Sequence, residues 1–495
     1  MSTLDNVMVI LLVVVALMGA HGLLFQVIGL LMPARKFKET ENKYKYCFLI
    51  PASNEESVIA ASIQSIKAQD YPEELITIFL VADNCTDKTA ENARAAGAIV
   101  YEKTCRNPRG LRRKGFALKY LVECIKRDYP DGIETWDGCF ILDADNVIAP
   151  TYVTEYNKAF DNKRYDFFNA YVNSSNFASN FIASASGISI MGGNTNSARP
   201  MGVLGISQVL RGRGSLYRSY LLANGFKWTG LTEDSESGAY LISRGYRGTY
   251  CEAAELFEEQ PITAKIFFRQ RLRWTRGSFI AWLKYCFPFL IGIFLPRDWR
   301  KNKPKTYVKR KQTFFDGLLK RLSCWVNFCR MFPTNVLTFM ISFVYPITVG
   351  IIAAVRPGDT NITTMLIVVG LYYVSSYFGA LARNFVIIVR EHKRLRIKPR
   401  QVMKTMWLWP LFGILMRYVR LYALVVPVGW KKIPHVEDRT IDDVLADKTL
   451  GDAVDVQVEK FKSRNKKDAK PTMDDVLDDD QEPDTKIEGG ENNVT

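Results

Sequence analysis

The sequence predicts an α/β domain with a mostly parallel sheet, combined with an α-helical transmembrane region. Between residues 46 and about 250, strand-like and helix-like stretches alternate with short loops, the pattern of a parallel sheet covered on both faces. Long apolar stretches lie on either side of this region. The apolar run 140–142 leads directly into Asp143 and Asp145, and ligands of such sheets bind at the carboxyl ends of the strands.

The charge is distributed unevenly along the chain. The 495 residues carry a formal net charge of +15, but residues 436–495 hold nine basic and 18 acidic side chains, so the preceding part carries +24. A basic body beside apolar spans is typical of a cytoplasmic membrane face, an anionic lipid or an anionic substrate. No nucleic-acid-binding motif is present, so we expect no nucleic acid partner. The acidic tail has few aromatic residues and is predicted to be disordered.

The nine cysteines show neither a disulfide framework nor a metal spacing. Cys47 and Cys139 lie inside apolar strand-like runs and are predicted to be inert core thiols. This usage indicates a reducing compartment, with neither a structural disulfide nor a zinc site.

A first transmembrane helix is predicted near the N-terminus. Residues 7–32 form a stretch of 26 residues without a charged side chain, which is long enough to span a bilayer. Asp5 precedes it, and Arg35, Lys36 and Lys38 follow it, so the positive-inside rule places the N-terminus outside. A cleaved signal peptide is the alternative, but the basic n-region is missing and the run is too long.

The α/β region divides into strands and helices by its apolar periodicity. Strands are expected over residues 46–50, 75–82, 98–102 and 140–142, and helices over residues 56–69, 86–96 and 114–127.

The region after residue 263 is predicted to lie at the membrane. Residues 277–296 are apolar with Lys284 as their one charge, and residues 297–321 are dense in Lys and Arg. If the apolar stretch crossed the bilayer, that basic loop would lie outside, against the positive-inside rule. We therefore expect residues 277–296 to lie at the interface or on the membrane side of the domain.

Two further spans are predicted over residues 332–355 and 363–389, joined by an outer loop. The apolar stretch 406–428 contains Pro410, Arg417 and Arg420. Charged side chains at membrane depth are costly and usually face a cavity or a polar path. We therefore favour an interfacial or re-entrant helix that lines a passage over a fourth span.

Asp143 and Asp145 form the central candidate site. Residues two apart on a strand point the same way, so both carboxylates can face one spot. Mg²⁺ and Mn²⁺ prefer such oxygen ligands. Our hypothesis is that the pair holds a divalent ion on the diphosphate of a nucleotide-sugar; the alternative is that it caps the next loop.

Two stretches could bind the rest of such a ligand. Asp83 ends the second strand and could accept a hydrogen bond from a uracil N–H; a helix cap is the alternative, although Thr86 or Asp87 could fill that role. Residues 112–115 place two arginines, Lys114 and a glycine at a helix start, where unpaired N–H groups favour phosphate. An ordinary surface-charge cluster is the alternative.

Residues 231–234 read Leu-Thr-Glu-Asp and could supply a general base. Asp234 would take the proton from an attacking hydroxyl within hydrogen-bond reach, and its neighbour Glu233 could position it. The alternative is an ordinary helix start that is capped by Thr232.

Within residues 269–276, arginine, glutamine and tryptophan side chains recur at the spacing of helix turns. Arg269, Arg273 and Arg276 share one helix face, and Gln270 and Trp274 share a neighbouring one. Arginine forks suit a diphosphate leaving group, and a tryptophan offers a platform for a sugar ring. A juxtamembrane basic helix with an interfacial tryptophan is the alternative.

Together these motifs resemble the membrane-bound glycosyltransferases of family 2, which have the GT-A, Rossmann-like fold, and more narrowly the processive β-glycan synthases. The resemblance covers about residues 46–274, and more loosely the membrane part. It implies that Asp83 contacts uridine, that Asp143 and Asp145 serve the nucleotide and Mg²⁺ or Mn²⁺, and that Asp234 is the base. It also implies a grip on the diphosphate and acceptor by Gln270, Arg271, Arg273 and Trp274.

Two departures from the family bear on the product. Residues 210–215 read Leu-Arg-Gly-Arg-Gly-Ser where cellulose synthases carry their acceptor motif, which argues against cellulose. Trp430 stands where hyaluronan synthases have a gating loop, and either closes over the donor or anchors the chain at the interface.

The resulting prediction is a multi-pass cell-membrane enzyme with a cytoplasmic catalytic domain. It would transfer sugar from a UDP-sugar, with inversion, to a growing β-linked polysaccharide coupled to export; the alternative is transfer of one sugar to a membrane lipid. Homo-oligomers are possible. The predicted regions are a transmembrane helix 1–35, a GT-A domain 44–276, interfacial helices with a basic loop 277–325, transmembrane or interfacial helices 326–435, and the disordered tail 436–495.

Overall fold

The computed structural model describes residues 22, 24–105, 113–295, 313–332, 339–355, 362–426, 428, 439–452 and 455. The strands are β1 Tyr46–Ala52, β2 Ile76–Asp83, β3 Ile99–Lys103, β4 Gly138–Ile141, β5 Val147–Ile148, β6 Phe167–Ser174, β7 Ser215–Arg218 and β8 Gly248–Glu258. The helices of the α/β region are α1 Ile59–Lys67, α2 Thr89–Ala95, α3 Lys114–Asp128, α4 Tyr152–Asp161, α5 Phe181–Gly193, α6 Arg199–Leu204 and α7 Glu233–Ser243. The later helices are α8 Ala264–Phe294, α9 Phe314–Met331, α10 Tyr345–Val355, α11 Ile362–Glu391, α12 Pro399–Val425 and α13 Ile441–Ala446.

Shorter 3₁₀ turns cover Glu73–Leu75, Gly132–Thr135 and Ser219–Leu221, and π-helical turns cover Asn194–Ala198 and Met340–Val344. The predicted strands and helices of the first half of the domain are found within a few residues of their expected bounds. Cys47 and Cys139 are buried as expected, and all nine cysteines are free thiols.

The eight strands form one sheet in the order β3-β2-β1-β4-β7-β6-β8-β5. β1 pairs in parallel with β2 and β4, and β2 pairs in parallel with β3. These strands are apolar on both faces because helices cover both sides. Their carboxyl ends therefore meet at one edge, where β2 delivers Asp83 and β4 delivers Asp143.

The second half of the sheet is mixed, which corrects the expectation of a mostly parallel sheet for this half. β7 runs antiparallel to both β4 and β6, and β5 runs antiparallel to β8, while β6 and β8 are parallel. Because β8 shares the direction of β6, its last residue, Glu258, reaches the same side of the domain as the site.

Helix α8 is continuous, so the domain boundary predicted between residues 276 and 277 falls inside it. It packs on α7 and α9: an added Cβ at Gly277 would lie 2.5 Å from the Thr232 side chain, and one at Gly292 would lie 2.5 Å from Cys324 Sγ. Its outer face exposes a stripe of apolar side chains at helical spacing. The stripe comprises Ile280, Leu283, Phe287, Ile291 and Phe294. An apolar outer stripe of this kind can contact lipid, and the interfacial position of residues 277–296 stays a prediction.

Helix α12 contacts the domain near its start, its middle and its end. Gln401 donates to the Ala178 carbonyl at 3.2 Å, the Trp409 ring packs on Phe267 with a centroid distance of 5.8 Å, and the Leu424 carbonyl accepts a hydrogen bond from Arg276. These contacts hold α12 against the domain along its length; whether residues 406–428 lie at the interface stays a prediction.

Among the described residues, three helices are long and apolar enough to cross a membrane: α8, Met365–Glu391 within α11, and α12. Of these, the α11 window is the least buried in the protein, at 6%. A shorter apolar helical stretch covers Met340–Val355. Residues 24–31 are helical, while most of the first predicted span and Trp430 lie outside the described residues.

A buried ion cluster ties the end of α11 to the α/β domain. Arg199 on α6 lies 2.5 Å from Glu252 on β8 and 2.6 Å from Glu391 on α11, and all three side chains are less than a tenth exposed. Breaking a buried pair leaves an uncompensated charge and costs about 3–5 kcal/mol. The cluster therefore fixes α11, and with it α12, against the domain.

The first part of the predicted disordered tail is ordered, which corrects that prediction for residues 439–452. Helix α13 begins with a capping box between Thr440 and Asp443, and its Ile441 and Val444 pack into a cluster with Val147. The helix was missed because only a few apolar residues anchor it, and burial of Val444 comes from a partner distant in sequence.

Candidate active site

A cavity of about 750 Å³ opens where the carboxyl ends of the parallel strands meet α7 and α8. All the side chains that the sequence singled out as catalytic, substrate-binding or metal-binding line it. They are Asp83, Lys114, Asp143, Asp145, Glu233, Asp234, Gln270, Arg271, Arg273 and Trp274. The structure thus brings together residues spread over 192 positions of the chain.

Lys114 is the cation between two carboxylates of this cavity. It is the first residue of α3, and its Nζ lies 2.5 Å from Asp143 and 3.5 Å from Glu233. Burial alone would lower the pKa of Lys114, but the two carboxylates outweigh it and raise the pKa. The lysine therefore stays charged and holds the end of β4 against the start of α7.

Glu233 and Asp234 begin helix α7 in a desolvated setting. Burial raises the pKa of Glu233 to about 7, against the effect of Lys114, and burial also raises the pKa of Asp234. The Thr232 side chain makes no capping hydrogen bond, so the alternative of a Thr-capped helix start is not what the structure contains. A carboxylate with a raised pKa accepts a proton more readily, as a general base must.

The backbone of Gly212 passes directly beside Asp234. Gly212 has a φ of +74°, and an added Cβ would lie 2.9 Å from Asp234 Oδ2. A side chain at this position would therefore both strain the turn and displace the carboxylate.

Asp83 is held by its neighbours at the end of β2. Lys103 Nζ lies 2.7 Å from its Oδ1, and the Asn84 side chain donates to the same oxygen at 2.7 Å. Asp87, just before the following helix, accepts a hydrogen bond from the Thr89 N–H at 3.1 Å. Asp83 lines the cavity while Lys103 and Asn84 hold its Oδ1.

Trp274 on α8 is flanked by guanidinium groups. The Cζ atoms of Arg271 and Arg213 lie 4.6 and 4.7 Å from its ring centroid, within the range of cation–π attraction. Of the three arginines predicted to share a face, Arg273 lines the cavity, whereas Arg269 and Arg276 do not. Arg276 instead binds the end of α12.

Several lining residues were not singled out from the sequence as site residues. Glu258 ends β8, forms an ion pair with Arg213, and has its pKa raised to about 7 by burial. In the sequence, Glu258 directly follows apolar residues, which is the same pattern that marks Asp83. Arg330 and Arg420 reach the cavity from α9 and α12, and no local motif marks either of them as a ligand.

Asp143 and Asp145 could supply part of the coordination shell of a divalent ion. Both line the cavity, and the described residues contain no cluster of three or more His, Cys, Asp or Glu side chains that could hold a metal alone. Mg²⁺ and Mn²⁺ sites of this kind take one or two carboxylates and complete their shell with phosphate and water oxygens. The donor set therefore suits an ion that arrives with a phosphate-bearing substrate.

Comparison with known proteins identifies the domain. Residues 44–277 match the family model described as glycosyltransferase like family 2. These residues are a glycosyltransferase family 2 domain. Its fold is an eight-stranded α/β sheet, and the enzyme class predicted from the sequence, a glycosyltransferase, is confirmed.

The similar proteins have low identity to the chain. The probable glycosyltransferase YdaM of Bacillus subtilis is 23% identical over 329 residues, which cover 63% of this chain and 70% of YdaM. The uncharacterized protein MJ1222 of Methanocaldococcus jannaschii is 31% identical over 130 residues, which cover 25% of this chain and 49% of that protein, so the chain spans about half the length of this relative. The mannosyltransferase PcManGT of Pyrobaculum calidifontis, solved with GDP-Man and Mn²⁺, aligns at a TM-score of 0.47 and 16% identity, covering 77% of this chain and 96% of PcManGT.

Proposed function

We propose that the chain transfers a sugar from a UDP-sugar to an acceptor at the cytoplasmic face of the cell membrane, with inversion at the anomeric carbon. The observation that carries this proposal is the convergence of Asp83, the Asp143/Asp145 pair, Asp234 and the α8 arginines in one cavity. Such a transfer requires a hydrogen-bond partner for the uracil ring, a metal site at the diphosphate and a general base. It also requires positively charged side chains that bind the leaving diphosphate.

The donor would lie along the carboxyl ends of the strands. Asp83 accepts from the uracil ring, and Asp143 and Asp145 hold Mg²⁺ or Mn²⁺, which neutralises charge on the diphosphate when bound. Arg273 provides further positive charge for the leaving diphosphate. Lys114 stays charged between its two carboxylates and keeps the strand end and α7 in register.

Asp234 would act on the acceptor. Its carboxylate takes the proton from the acceptor hydroxyl, the hydroxyl oxygen bonds to the anomeric carbon, and the bond from that carbon to the diphosphate breaks, releasing UDP. Attack from the side opposite the leaving group inverts the anomeric centre. The neighbouring Glu233 positions the base through its contact with Lys114.

The membrane assignment rests on the helices after the catalytic domain. The apolar stripe of α8 and the exposed apolar surface of α11 support contact with lipid. The basic segments around residues 35–38 and 390–400 support a cytoplasmic catalytic domain.

Two acceptor classes follow from this chemistry. The family resemblance supports a growing β-linked polysaccharide that is exported. A second candidate, transfer of a single sugar to a membrane lipid, is supported by Arg420, which α12 adds to the cavity beside apolar helices.

Product size distinguishes the two acceptors. The purified chain in lipid nanodiscs would receive radiolabelled UDP-glucose, UDP-N-acetylglucosamine or UDP-galactose in turn, with Mg²⁺ or Mn²⁺. A long, glycosidase-sensitive ladder from one donor establishes a polysaccharide synthase, and a single labelled glycolipid establishes the second candidate. Absence of transfer from every nucleotide-sugar would count against the proposed function itself.

A further inference from the structure

Two arginines lie beside the Trp274 ring, and each is held by a different group. The Cζ atoms of Arg213 and Arg271 lie 4.7 and 4.6 Å from the ring centroid. Arg213 forms an ion pair with Glu258 at the end of β8. Among the described residues, no ion pair joins Arg271 to a carboxylate. Hydrogen bonds must therefore hold this second guanidinium against the repulsion of the first.

Gln260, two residues after Glu258, connects the two arginines. Its Nε2 donates to Glu258 Oε1 at 2.6 Å, and its Oε1 accepts from Ser186 Oγ on α5 at 2.7 Å. The Ser186 hydroxyl accepts in turn from Arg271 at 3.2 Å. These contacts form a continuous chain, here termed the arginine relay, which comprises Arg213, Glu258, Gln260, Ser186 and Arg271.

The middle of the arginine relay is rigid. The Gln260 N–H donates to Asn176 Oδ1 at 2.8 Å, and the Gln260 carbonyl accepts from Asn176 Nδ2 at 2.9 Å. Gln260 is 2% exposed and Ser186 is fully buried, so water cannot replace a lost hydrogen bond and its loss is costly. Because the carboxylate of Glu258 accepts hydrogen bonds from its neighbours, the amide of Gln260 is held with its NH2 group toward it.

The relay meets the reacting part of the cavity at Trp274. Gln260, Trp274 and Asp234 all line the same cavity. The carboxylates assigned to the donor have other partners, since Asp83 and Asp143 are each paired with a lysine. A change in the relay therefore acts on the tryptophan and leaves these donor contacts in place.

We propose that Gln260 is a positioning residue for the acceptor. By joining the two arginines through Glu258 and Ser186, it fixes both guanidinium groups beside Trp274, so that the indole stays in place as the surface against which the acceptor lies. This inference rests on the proposed function and adds a residue that acts through others.

A broken relay changes which hydroxyl reacts. The donor still binds, but the acceptor no longer excludes water from the anomeric carbon. A water molecule then gives its proton to Asp234, its oxygen bonds to the anomeric carbon, and UDP leaves. The products are free sugar and UDP in place of a glycosylated acceptor.

The variant Gln260→Met tests the proposal, in nanodiscs and with the radiolabelled UDP-sugar that supports transfer by the parent. We expect transferred label to fall about tenfold, the cost of losing a buried hydrogen-bond pair. Free labelled sugar should not fall, and UDP affinity by calorimetry should be unchanged. The relay is probed at Gln260 because a glutamine at position 258 would keep an acceptor oxygen for both neighbours.

Gln69→Met is the matched control. Gln69 is also buried, and its side chain makes three hydrogen bonds, to the carbonyls of Ser65 and Ala149 and from the Val153 N–H. It does not line the cavity. Its replacement should lower stability but leave the ratio of free to transferred sugar as in the parent.

Ser186→Ala breaks one link of the relay and leaves Gln260 bound to Glu258. It should raise the ratio of free to transferred sugar, and it provides the test if Gln260→Met does not fold. In the double variant the two effects should combine to less than their product, because both act on Arg271 by the same route.

Two results would overturn the proposal. One is an unchanged ratio of free to transferred sugar in Gln260→Met and Ser186→Ala. The other is a joint loss of transfer, hydrolysis and UDP binding in these variants, which would make the relay a purely structural element. Absence of transfer by the parent from every nucleotide-sugar would instead refute the proposed function, so the two failures are distinguishable.

Discussion

The two walls of the cavity differ in whether their charged side chains have partners of opposite charge. On the wall built by the strand ends and α7, the carboxylates have cations at hand: Asp83 lies 2.7 Å from Lys103, and Lys114 lies 2.5 Å from Asp143 and 3.5 Å from Glu233. On the wall built by α8 and α12, Arg271 and Arg420 form no ion pair with any described residue. The charges of the first wall are paired before substrate binds. We expect those of the second wall to be balanced by a bound anion.

This difference determines what each wall can contribute. Paired groups in a desolvated site keep their positions and need little rearrangement during the reaction. Unpaired arginines attract an anion and lose their repulsion only when it is bound. We therefore expect changes in the carboxylate wall to reduce the chemical step or donor binding, and changes in the arginine wall to reduce acceptor binding.

The largest effect is expected for Asp234→Asn, which removes the proposed base but preserves the shape of the side chain. Turnover should fall by about 10³-fold, the usual contribution of a general base, while UDP affinity measured by calorimetry stays close to that of the parent. Asp131→Asn, at an exposed turn, serves as the control. Retained turnover in the Asp234 variant would remove this residue as the base.

A smaller effect is expected for Asp145→Ala, which removes one of the two carboxylates proposed to bind the metal. The affinity for the UDP-sugar in the presence of Mg²⁺ or Mn²⁺ should fall at least about tenfold, and the gain from adding metal should largely disappear. Titrations with metal and with chelator measure both quantities. Equal donor affinity of the parent protein with and without metal would contradict the metal assignment.

The smallest effect is expected for Glu258→Gln, and it concerns stability rather than activity. Burial raises the pKa of both Glu258 and Glu233 to about 7, above the ordinary value of 4.5. Between pH 4.5 and 7 the folded chain holds protons that the unfolded chain has released, so the free energy of unfolding falls as the pH rises.

Replacing Glu258 should reduce this decline by about half, because Glu233 keeps its own contribution. Denaturant midpoints of the reconstituted protein at pH 5, 6 and 7 give the slope, with Glu123→Gln at an exposed helix position as the control. An unchanged slope would show that the Glu258 carboxyl is already ionised at pH 5.

The carboxylate wall was almost fully predictable from the sequence, and the arginine wall only in part. Asp83 and Asp143 follow apolar strands, and Asp234 and Arg273 belong to compact motifs, so local spacing marks them. Arg420 carried a weaker signal, a charge inside an apolar helix, which predicted a polar path but not its position at the donor cavity.

Other features depend on contacts between distant parts of the chain. The order of β7, β6 and β8 decides that Glu258 faces the site, and no local pattern encodes which strand lies beside which. Helix α13 shows the same limit, because its Thr440–Asp443 capping box can be read locally whereas its docking against Val147 cannot.

Local chemistry along the chain therefore determined the fold class, the Asp-x-Asp pair, the carboxylates at the start of α7 and the basic aromatic helix, because apolar periodicity and short motifs express them within a few residues. Only the tertiary structure decided how the sheet mixes its strand directions, that α8 continues past residue 276 along α7, and that Arg330 and Arg420 reach the donor cavity. The reason is physical: a side chain's charge state and partners depend on burial and on neighbours across the fold, and these exist only once the helices have packed on the sheet.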